Sequence, residues 1–471
     1  MPVGVVHLGH ARSRLPRAAF AVVFLASAAV AAAQPVVPPV PAVPRVEERP
    51  PGREVPPIEN PAGGVSLRDA LALALLHNPA LATFAWETRA LEARILQSGR
   101  PPNPTLDLIT EDIGASRTPG SDVDQPVQPQ TTVQLSQVIE LGGKRTARQR
   151  VATLDRDLAA WDYEMARIDV LSDVSRAFTR VLVAQDAVTL ADTALRIVTE
   201  GQQSVAARVE AGVVSPIEET RANVAVASAR ADAARSRRAL DASRSRLALL
   251  WGSPTAAFSS ATGDLTAEPR PLPPVGVLTA LLDQNPELAR WAAELAQREA
   301  ALALERSKRV VDVAVSAGYR RYTTVDSNAF VVGASIPLPF FNRNAGGIEE
   351  ARLRLAKSHE ERRVAEVRVA AALAEAYAVL AAAHDEVTIL RAAVLPGAQQ
   401  TLDAISEGYR LGRFSLLDVL DAQRTLTSAG SQHLRALSDY HDAVVQVERL
   451  IGAPLPGSPG VVLRPSSSPR E

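Results

Sequence analysis

The sequence contains no cysteine among its 471 residues. That excludes disulfides, thiolate metal sites, a cysteine nucleophile and lipidation at an N-terminal cysteine. Aromatic residues make up only 4%, although hydrophobic residues reach 46%. Alanine, leucine and valine therefore carry the apolar content, a balance that suits long packed helices better than a large globular core. Neither sign of charge is in excess: the net charge is −1, which gives no electrostatic reason to bind nucleic acid. Past the N-terminus, no run approaches the ~18 continuous apolar residues of a membrane-spanning helix. A Gly-rich phosphate loop, a Gly-x-Ser-x-Gly turn and paired acids in a pocket-like pattern are all missing, so catalysis is not supported. The histidines, among them His384, His433 and His441, are scattered without ligand spacing, and neither a metal site nor a cofactor is expected.

The N-terminus has the form of a secretory signal over residues 1–33. Arg12, Arg14 and Arg17 precede an apolar stretch from Ala18 to Ala33, and Ala31-Ala32-Ala33 before Gln34 offers a cleavage site. A short membrane anchor is the alternative, but the stretch falls below the ~20 residues that a span needs. Residues 34–62 are rich in proline and read as an extended linker. Residues 454–471 read as a disordered tail. An exported chain without a membrane helix has two destinations: the periplasm, or the outer membrane as a β-barrel.

Between linker and tail lies an internal duplication. His77-Asn78-Pro79-Ala80-Leu81-Ala82 returns 207 residues later as Gln284-Asn285-Pro286-Glu287-Leu288-Ala289. Gly212-Val213-Val214-Ser215 and Leu250-Trp251-Gly252 return 200 residues later as Gly412-Arg413-Phe414-Ser415 and Leu450-Ile451-Gly452. The copies span 63–252 and 271–453, with 253–270 as the linker between them. Each has one plan: an opening helix (Ser66 to about Ser98; Val275 to about Arg309), two β-runs, a very long helix, a Gly/Ser break and a final helix stopped by glycine. From Lys144 to Val209 there is no proline, so that helix would run close to 100 Å at ~1.5 Å per residue. Its counterpart, Gly347 to Leu411, meets Pro396-Gly397, which should bend or break it. Faces rich in alanine and arginine, as in Arg230 to Arg246, allow close helix approach and a soluble exterior.

The β-runs alternate. Val311, Val313, Val315, Ala317 and Tyr319 share one face; Phe330, Val332, Ala334, Ile336 and Leu338 share another; Val133 and Leu135 oppose Gln134 and Ser136. Residues 104–110 are the weakest strand candidate. Alternation over ~10 residues is what a membrane barrel strand requires, although a half-buried hairpin in a soluble protein has the same pattern. Two strands per copy give four per chain, too few to close a barrel, and open sheet edges are not tolerated in lipid. Strands that enter a membrane must therefore be pooled between chains, and three chains would supply twelve.

With these features in place, residues 65–453 resemble the TolC-like outer-membrane efflux protein family. The resemblance rests on the two Asn-Pro openings, the duplication and the segment from Gly408 to Gln423, Gly-Tyr-Arg-Leu-Gly-Arg-Phe-Ser-Leu-Leu-Asp-Val-Leu-Asp-Ala-Gln. It implies a mainly α fold with a transmembrane β-barrel part, in which a homotrimer forms a twelve-stranded barrel and a long periplasmic helical tunnel. It also implies partners: a periplasmic adaptor, an inner-membrane resistance-nodulation-division pump and outer-membrane lipid. Ile139-Glu140-Leu141-Gly142-Gly143-Lys144-Arg145 is similar to a segment of the CzcC-like branch, which serves heavy-metal efflux. Gly142-Gly143 permits a sharp backbone change there, and Lys144-Arg145 can face lipid headgroups or a neighbouring subunit. Organic compounds are the alternative cargo, and a soluble periplasmic coiled-coil scaffold is the alternative without a pore.

The turns at Gly212, Val213, Val214, Ser215 and at Gly412, Arg413, Phe414, Ser415 should form the periplasmic tips. Ser215 and Ser415 can cap the helices that follow, and exposed tips are natural points of adaptor docking. Asp418 and Asp421 share a helix face, and the resemblance puts them at the periplasmic gate as an acidic ring that attracts cations. Stabilisation of the helix dipole is the plainer role for acids so placed. Glu218 and Glu219 match them in the first copy, where Arg221 replaces the second acid.

Overall fold

The computed structural model describes residues 39–44, 61–113, 129–265, 271–323 and 327–456. The secretory signal, most of the proline-rich linker and the tail beyond 456 lie outside the described residues.

The first copy opens with β1 (Gly64–Ser66), α1 (Leu67–His77) and α2 (Pro79–Ser98). Ser66 starts α1 through a capping box: its hydroxyl accepts from the Asp69 N–H, and the Asp69 carboxylate accepts from the Ser66 N–H. The single opening helix expected from Ser66 to Ser98 is in fact two. Asn78 is extended (φ −64°, ψ 120°), as a residue before proline must be, and Pro79 begins α2. Strands β2 (Thr105–Glu111) and β3 (Gln130–Ile139) follow, then α3 (Lys144–Glu210) and α4 (Pro216–Leu249). At 67 residues α3 runs the whole proline-free stretch, about 100 Å at ~1.5 Å per residue.

The segment expected as an inter-repeat linker is packed along part of its length. β4 (Ser260–Thr262) pairs in parallel with β1, and Phe258 is buried against Trp251 with ring centroids 6.0 Å apart. The second opening helix is also divided: α5 (Val275–Thr279), a 3-10 turn at Leu282–Gln284, then α6 (Pro286–Ser307). After β5 (Val313–Tyr322) and β6 (Ser327–Ser335) come α7 (Ala345–Ile389), α8 (Leu395–Arg410) and α9 (Leu416–Ile451). The β6 strand stops at Ser335, short of the expected Leu338, because Pro337 and Pro339 cannot donate to a ladder. Pro396 does not end the helical path. A π turn at Leu390–Val394 precedes it and absorbs the lost N–H and the ring clash with one widened turn.

Each copy closes on itself in the same way. The Asn78 side chain accepts from the Ala80 N–H (2.8 Å) and donates to the Leu250 carbonyl at the end of α4 (2.8 Å). Asn285 accepts from the Leu288 N–H (3.1 Å) and donates to the Leu450 carbonyl at the end of α9 (2.6 Å). Trp251 and Ile451, one residue further on, are fully buried: Trp251 in a cluster that also takes in Val387 and Leu437 of the second copy, and Ile451 in a cluster of the second copy's own residues. Gly452 (φ +67°) then ends α9 in the left-handed region, where a Cβ would stand 2.7 Å from the Gln284 carbonyl oxygen. Among the contacts between the two copies is a polar seam along α3. Asp155, Asp162 and Asp169 recur every seven residues on α3, a spacing that keeps them along one side. They accept from Gln297 (2.8 Å), Arg290 (2.7 Å) and Arg449 (2.6 Å).

The strands β2, β3, β5 and β6 form one antiparallel sheet in that order. Leu108, Val133, Tyr319 and Phe330 align across it, as do Leu106, Leu135, Ala317 and Val332. This face is exposed, up to 88% at Phe330 and 83% at Val332. The other face is polar and internally bonded: Arg320 donates to the Thr132 hydroxyl (2.9 Å) and Ser136 to the Asp107 carboxylate (3.2 Å). The sheet is thus apolar where it is open and polar where it is self-satisfied, and β2 and β6 are its unpaired edges.

Candidate functional site: strand junction, helical tips and acidic residues

The passage from β3 into α3 is a two-residue glycine corner. Gly142 and Gly143 both have positive φ (+71° and +72°). Gly142 is also crowded, since a Cβ there would lie 2.6 Å from the Val310 Cβ and 3.1 Å from the Ser307 carbonyl oxygen, whereas Gly143 faces open space. The residues around the corner hold it shut. Glu140 receives a two-pronged hydrogen bond from the Arg148 guanidinium (2.7 and 3.0 Å), and Arg148 also donates to the Ser98 carbonyl at the end of α2 (2.8 Å). The Arg148 hydrogen bond holds the Glu140 carboxyl below its ordinary range against the opposing effect of burial.

Lys144 corrects an expectation. It does not face outward: its ammonium lies 2.6 Å from Asp312, just ahead of β5, and is only 12% exposed. The same Asp312 oxygen accepts from the Leu141 N–H (2.9 Å). Burial raises the Asp312 pKa, but the Lys144 and Leu141 hydrogen bonds outweigh it and the net shift is downward. Arg145 is exposed. The motif therefore ties the first copy's corner to the second copy's strand, a role hidden in the sequence because Asp312 is 168 residues away.

Both tips end their helices with the same hydrogen bonds. After α3, Gly212 (φ +71°) donates to the Val209 carbonyl and Val213 to the Arg208 carbonyl, each at 2.9 Å. After α8, Gly412 (φ +74°) donates to Tyr409 (3.1 Å) and Arg413 to Gly408 (2.8 Å). This is the Schellman arrangement. The tips stand side by side, with Val205, Ala222 and Leu416 buried together and the Arg208 guanidinium 4.9 Å from the centre of the Tyr409 ring. Val213, Ser215, Arg413, Phe414 and Ser415 are exposed, and Val214 is half-buried. Sequence reasoning missed the seat of Phe414: its ring lies where a Cβ on Gly408 would be, 2.2 Å away, so Gly408 is needed for the turn's only aromatic.

Three of the acids near the tips differ in what they bond. Asp418 completes a capping box, its carboxylate accepting from the Ser415 hydroxyl (2.7 Å) and N–H (2.8 Å). These two bonds, the hydroxyl's first, lower its pKa. Glu218 is paired with Arg221 at 3.1 Å. Asp421 is exposed, and no hydrogen bond or ion pair engages its carboxylate among the described residues. Ser215 caps α4 more loosely, accepting from the Ile217 N–H at 3.4 Å. Among the described residues no group of three His, Cys, Asp or Glu side chains is placed to hold a metal ion.

An amphipathic sheet with two open edges is carried on two copies of a long helical hairpin, and this is the fold class of outer-membrane channel subunits. Sequence comparison narrows the class to a family. It belongs to the outer membrane efflux protein family, whose model matches residues 70–253 and 277–453. It is a transport duct component and not an enzyme. The chain is 35% identical over 393 residues to the cobalt-zinc-cadmium resistance protein CzcC of Cupriavidus metallidurans, covering 83% of this chain and 91% of that protein. It is 30% identical over 326 residues to the nickel and cobalt resistance protein CnrC of the same organism, covering 69% and 73%. The fold is similar to that of CusC (TM-score 0.68, 18% identity, 86% of this chain and 99% of that one). It is also similar to the Campylobacter jejuni outer membrane channel CmeC (TM-score 0.66, 16% identity, 82% and 85%).

Proposed function

We propose that three copies of this chain form an outer-membrane duct that exports divalent heavy-metal cations of the cobalt, zinc and cadmium type. One observation carries the proposal: a four-stranded sheet exposes its apolar face and leaves β2 and β6 unpaired. In lipid those edges must be closed, and β6 of one copy pairing with β2 of the next closes three sheets into twelve strands, an even number within the range of known barrels. The helical hairpins then line a periplasmic tunnel whose tips dock a periplasmic adaptor, and an inner-membrane pump of the resistance-nodulation-division type drives transport. Asp421, with its uncommitted carboxylate, is the favoured acid of a cation-attracting ring at the gate; Asp418 and Glu218 add charge already shared with Ser415 and Arg221. The metal cargo is supported by relatives named for resistance to cobalt, zinc, cadmium and nickel. An organic cargo is the second reading, supported by 25% identity over 383 residues to the pyoverdine export protein OpmQ of Pseudomonas aeruginosa. The test is deletion of the gene, with growth scored against zinc, cobalt, cadmium and a panel of drugs and dyes. Metal sensitivity restored by the intact gene is expected; sensitivity to organic compounds alone overturns the metal assignment.

A further inference from the structure

The register brings four chain segments to one end of the sheet. Thr105 pairs with Ser136, Ile139 with Val313, and Ala314 with Ser335. The start of β2, the end of β3, the start of β5 and the end of β6 therefore meet there, and each leads to a helix. The acids at this end are committed: Glu140 to Arg148, Asp312 to Lys144, and Glu305 to Lys308 and Asn344. Four arginines at the same end have no acidic partner among the described residues, although Arg343 donates one N–H to the Pro339 carbonyl (3.2 Å). Arg100, Arg145, Arg309 and Arg343 are all exposed, and none forms an ion pair among the described residues. Beside them, past β6, Phe340 is largely exposed and Phe341 wholly so. Toward the other end of the sheet, on its apolar face, Tyr319 and Phe330 meet edge to face at 6.0 Å. Aromatics thus stand toward both ends of the exposed apolar band, as they do at the two membrane surfaces of lipid-facing barrel strands.

We propose that this end of the sheet is a collar that binds the headgroups of anionic phospholipid in the inner leaflet. The guanidinium groups of Arg100, Arg145, Arg309 and Arg343 bind lipid phosphates in the two-pronged geometry that arginine favours. Phe340 and Phe341 enter among the first acyl carbons. A lipid headgroup fits better than a second copy of the chain because the surplus is of one sign at one end of the sheet and an identical collar carries the same charge. The inference rests on the barrel reading above, and its test separates the two.

The full chain is reconstituted in phosphatidylcholine vesicles with and without phosphatidylglycerol, and insertion is scored as a heat-modifiable trimer. In a Phe341→Trp variant, the emission added over the parent protein is read with phosphatidylcholine brominated near the headgroup or near the chain end. Strong quenching by the shallow bromine and weak quenching by the deep one is expected. Retention of phosphatidylglycerol through a detergent wash should fall at least about fivefold when the four arginines are changed to glutamine, the factor for ~1 kcal/mol per basic group at an anionic surface. An inserted trimer whose added emission no bromine quenches overturns the collar and leaves the barrel standing, with water or a second copy on that surface. An inserted quadruple variant that retains phosphatidylglycerol as the parent does overturns the headgroup assignment. Failure of the parent chain to insert overturns both readings. Should the quadruple variant misfold, the parent protein decides: retention of phosphatidylglycerol no greater than that of phosphatidylcholine overturns the headgroup assignment.

Discussion

Gly142→Ala and Gly143→Ala add the same methyl group to adjacent residues of nearly equal φ, +71° and +72°. Backbone strain is then common to both: a left-handed conformation costs about 1–2 kcal/mol for a residue with a Cβ. The surroundings differ. At Gly143 the new Cβ meets nothing within 4 Å, so Gly143→Ala should lose only that amount. At Gly142 the Cβ would stand 2.6 Å from the Val310 Cβ, 2.8 Å from its Cγ2 and 3.1 Å from the Ser307 carbonyl oxygen. Backbone on one side and a β-branched side chain on the other leave little room to relax. Overpacking adds about 1–3 kcal/mol, which brings Gly142→Ala to about 2–5 kcal/mol. The assay is the urea midpoint of the purified, detergent-solubilised protein, accepted only where the slope of the transition is unchanged. Val310→Ala in the Gly142→Ala background removes the Cγ2 contact and should recover part of the loss, about 1 kcal/mol. Equal losses at the two glycines, or no recovery with Val310→Ala, would refute the account of this corner.

Asn285→Ala should cost about 2–4 kcal/mol, because it removes a helix cap worth ~1 kcal/mol and leaves the Leu450 carbonyl without its donor. Asn285→Asp keeps the cap but not the donor and should fall between, as read from denaturant midpoints. Asp421→Asn should weaken block of the channel by divalent cations in planar bilayers. Asp418→Asn should change block less and loosen the start of α9, seen as faster hydrogen exchange there; the opposite ranking counts against Asp421 as the gate acid. The Glu140–Arg148 clamp has a pH signature. The folded pKa of Glu140 lies below its unfolded value near ~4.3, so its stabilisation is complete above that pH and is lost as pH falls through the folded value. Glu140→Gln should therefore flatten the acid limb of stability; an acid limb identical to that of the parent would exclude the clamp.

Local features were legible in the sequence, and contacts between residues far apart in it were not. The α3 helix was readable nearly to the residue because no proline interrupts its 67 positions. The strands were readable from their alternation, including the weak β2, because side-chain period alone decides which face is apolar. Asn78-Pro79 and Asn285-Pro286 read in the sequence as a motif, but their physical content is a bend before proline and a side-chain bond to a carbonyl 172 or 165 residues away, so the division of the opening helices does not show there. The place of Lys144 is hidden for the same reason: an exposed Lys-Arg pair and a buried ion pair look alike until Asp312 is placed. The heptad of Asp155, Asp162 and Asp169 is visible on inspection, but Arg290, Gln297 and Arg449 as its partners follow only from the antiparallel packing of α6 and α9 on α3. At the tips, the glycines and serines announce turns and caps, whereas the difference between Asp418 and Asp421 depends on which carboxylate reaches Ser415.

The central claim is that single chains with open-edged sheets combine into a membrane pore. The most direct measurement is single-channel conductance of the full chain purified from outer-membrane fractions, with its oligomeric state read from gels run with and without heating. The account predicts a heat-modifiable trimer that inserts into planar bilayers and conducts ions in discrete steps. A monomer recovered in the soluble periplasmic fraction, with no conductance, would contradict it.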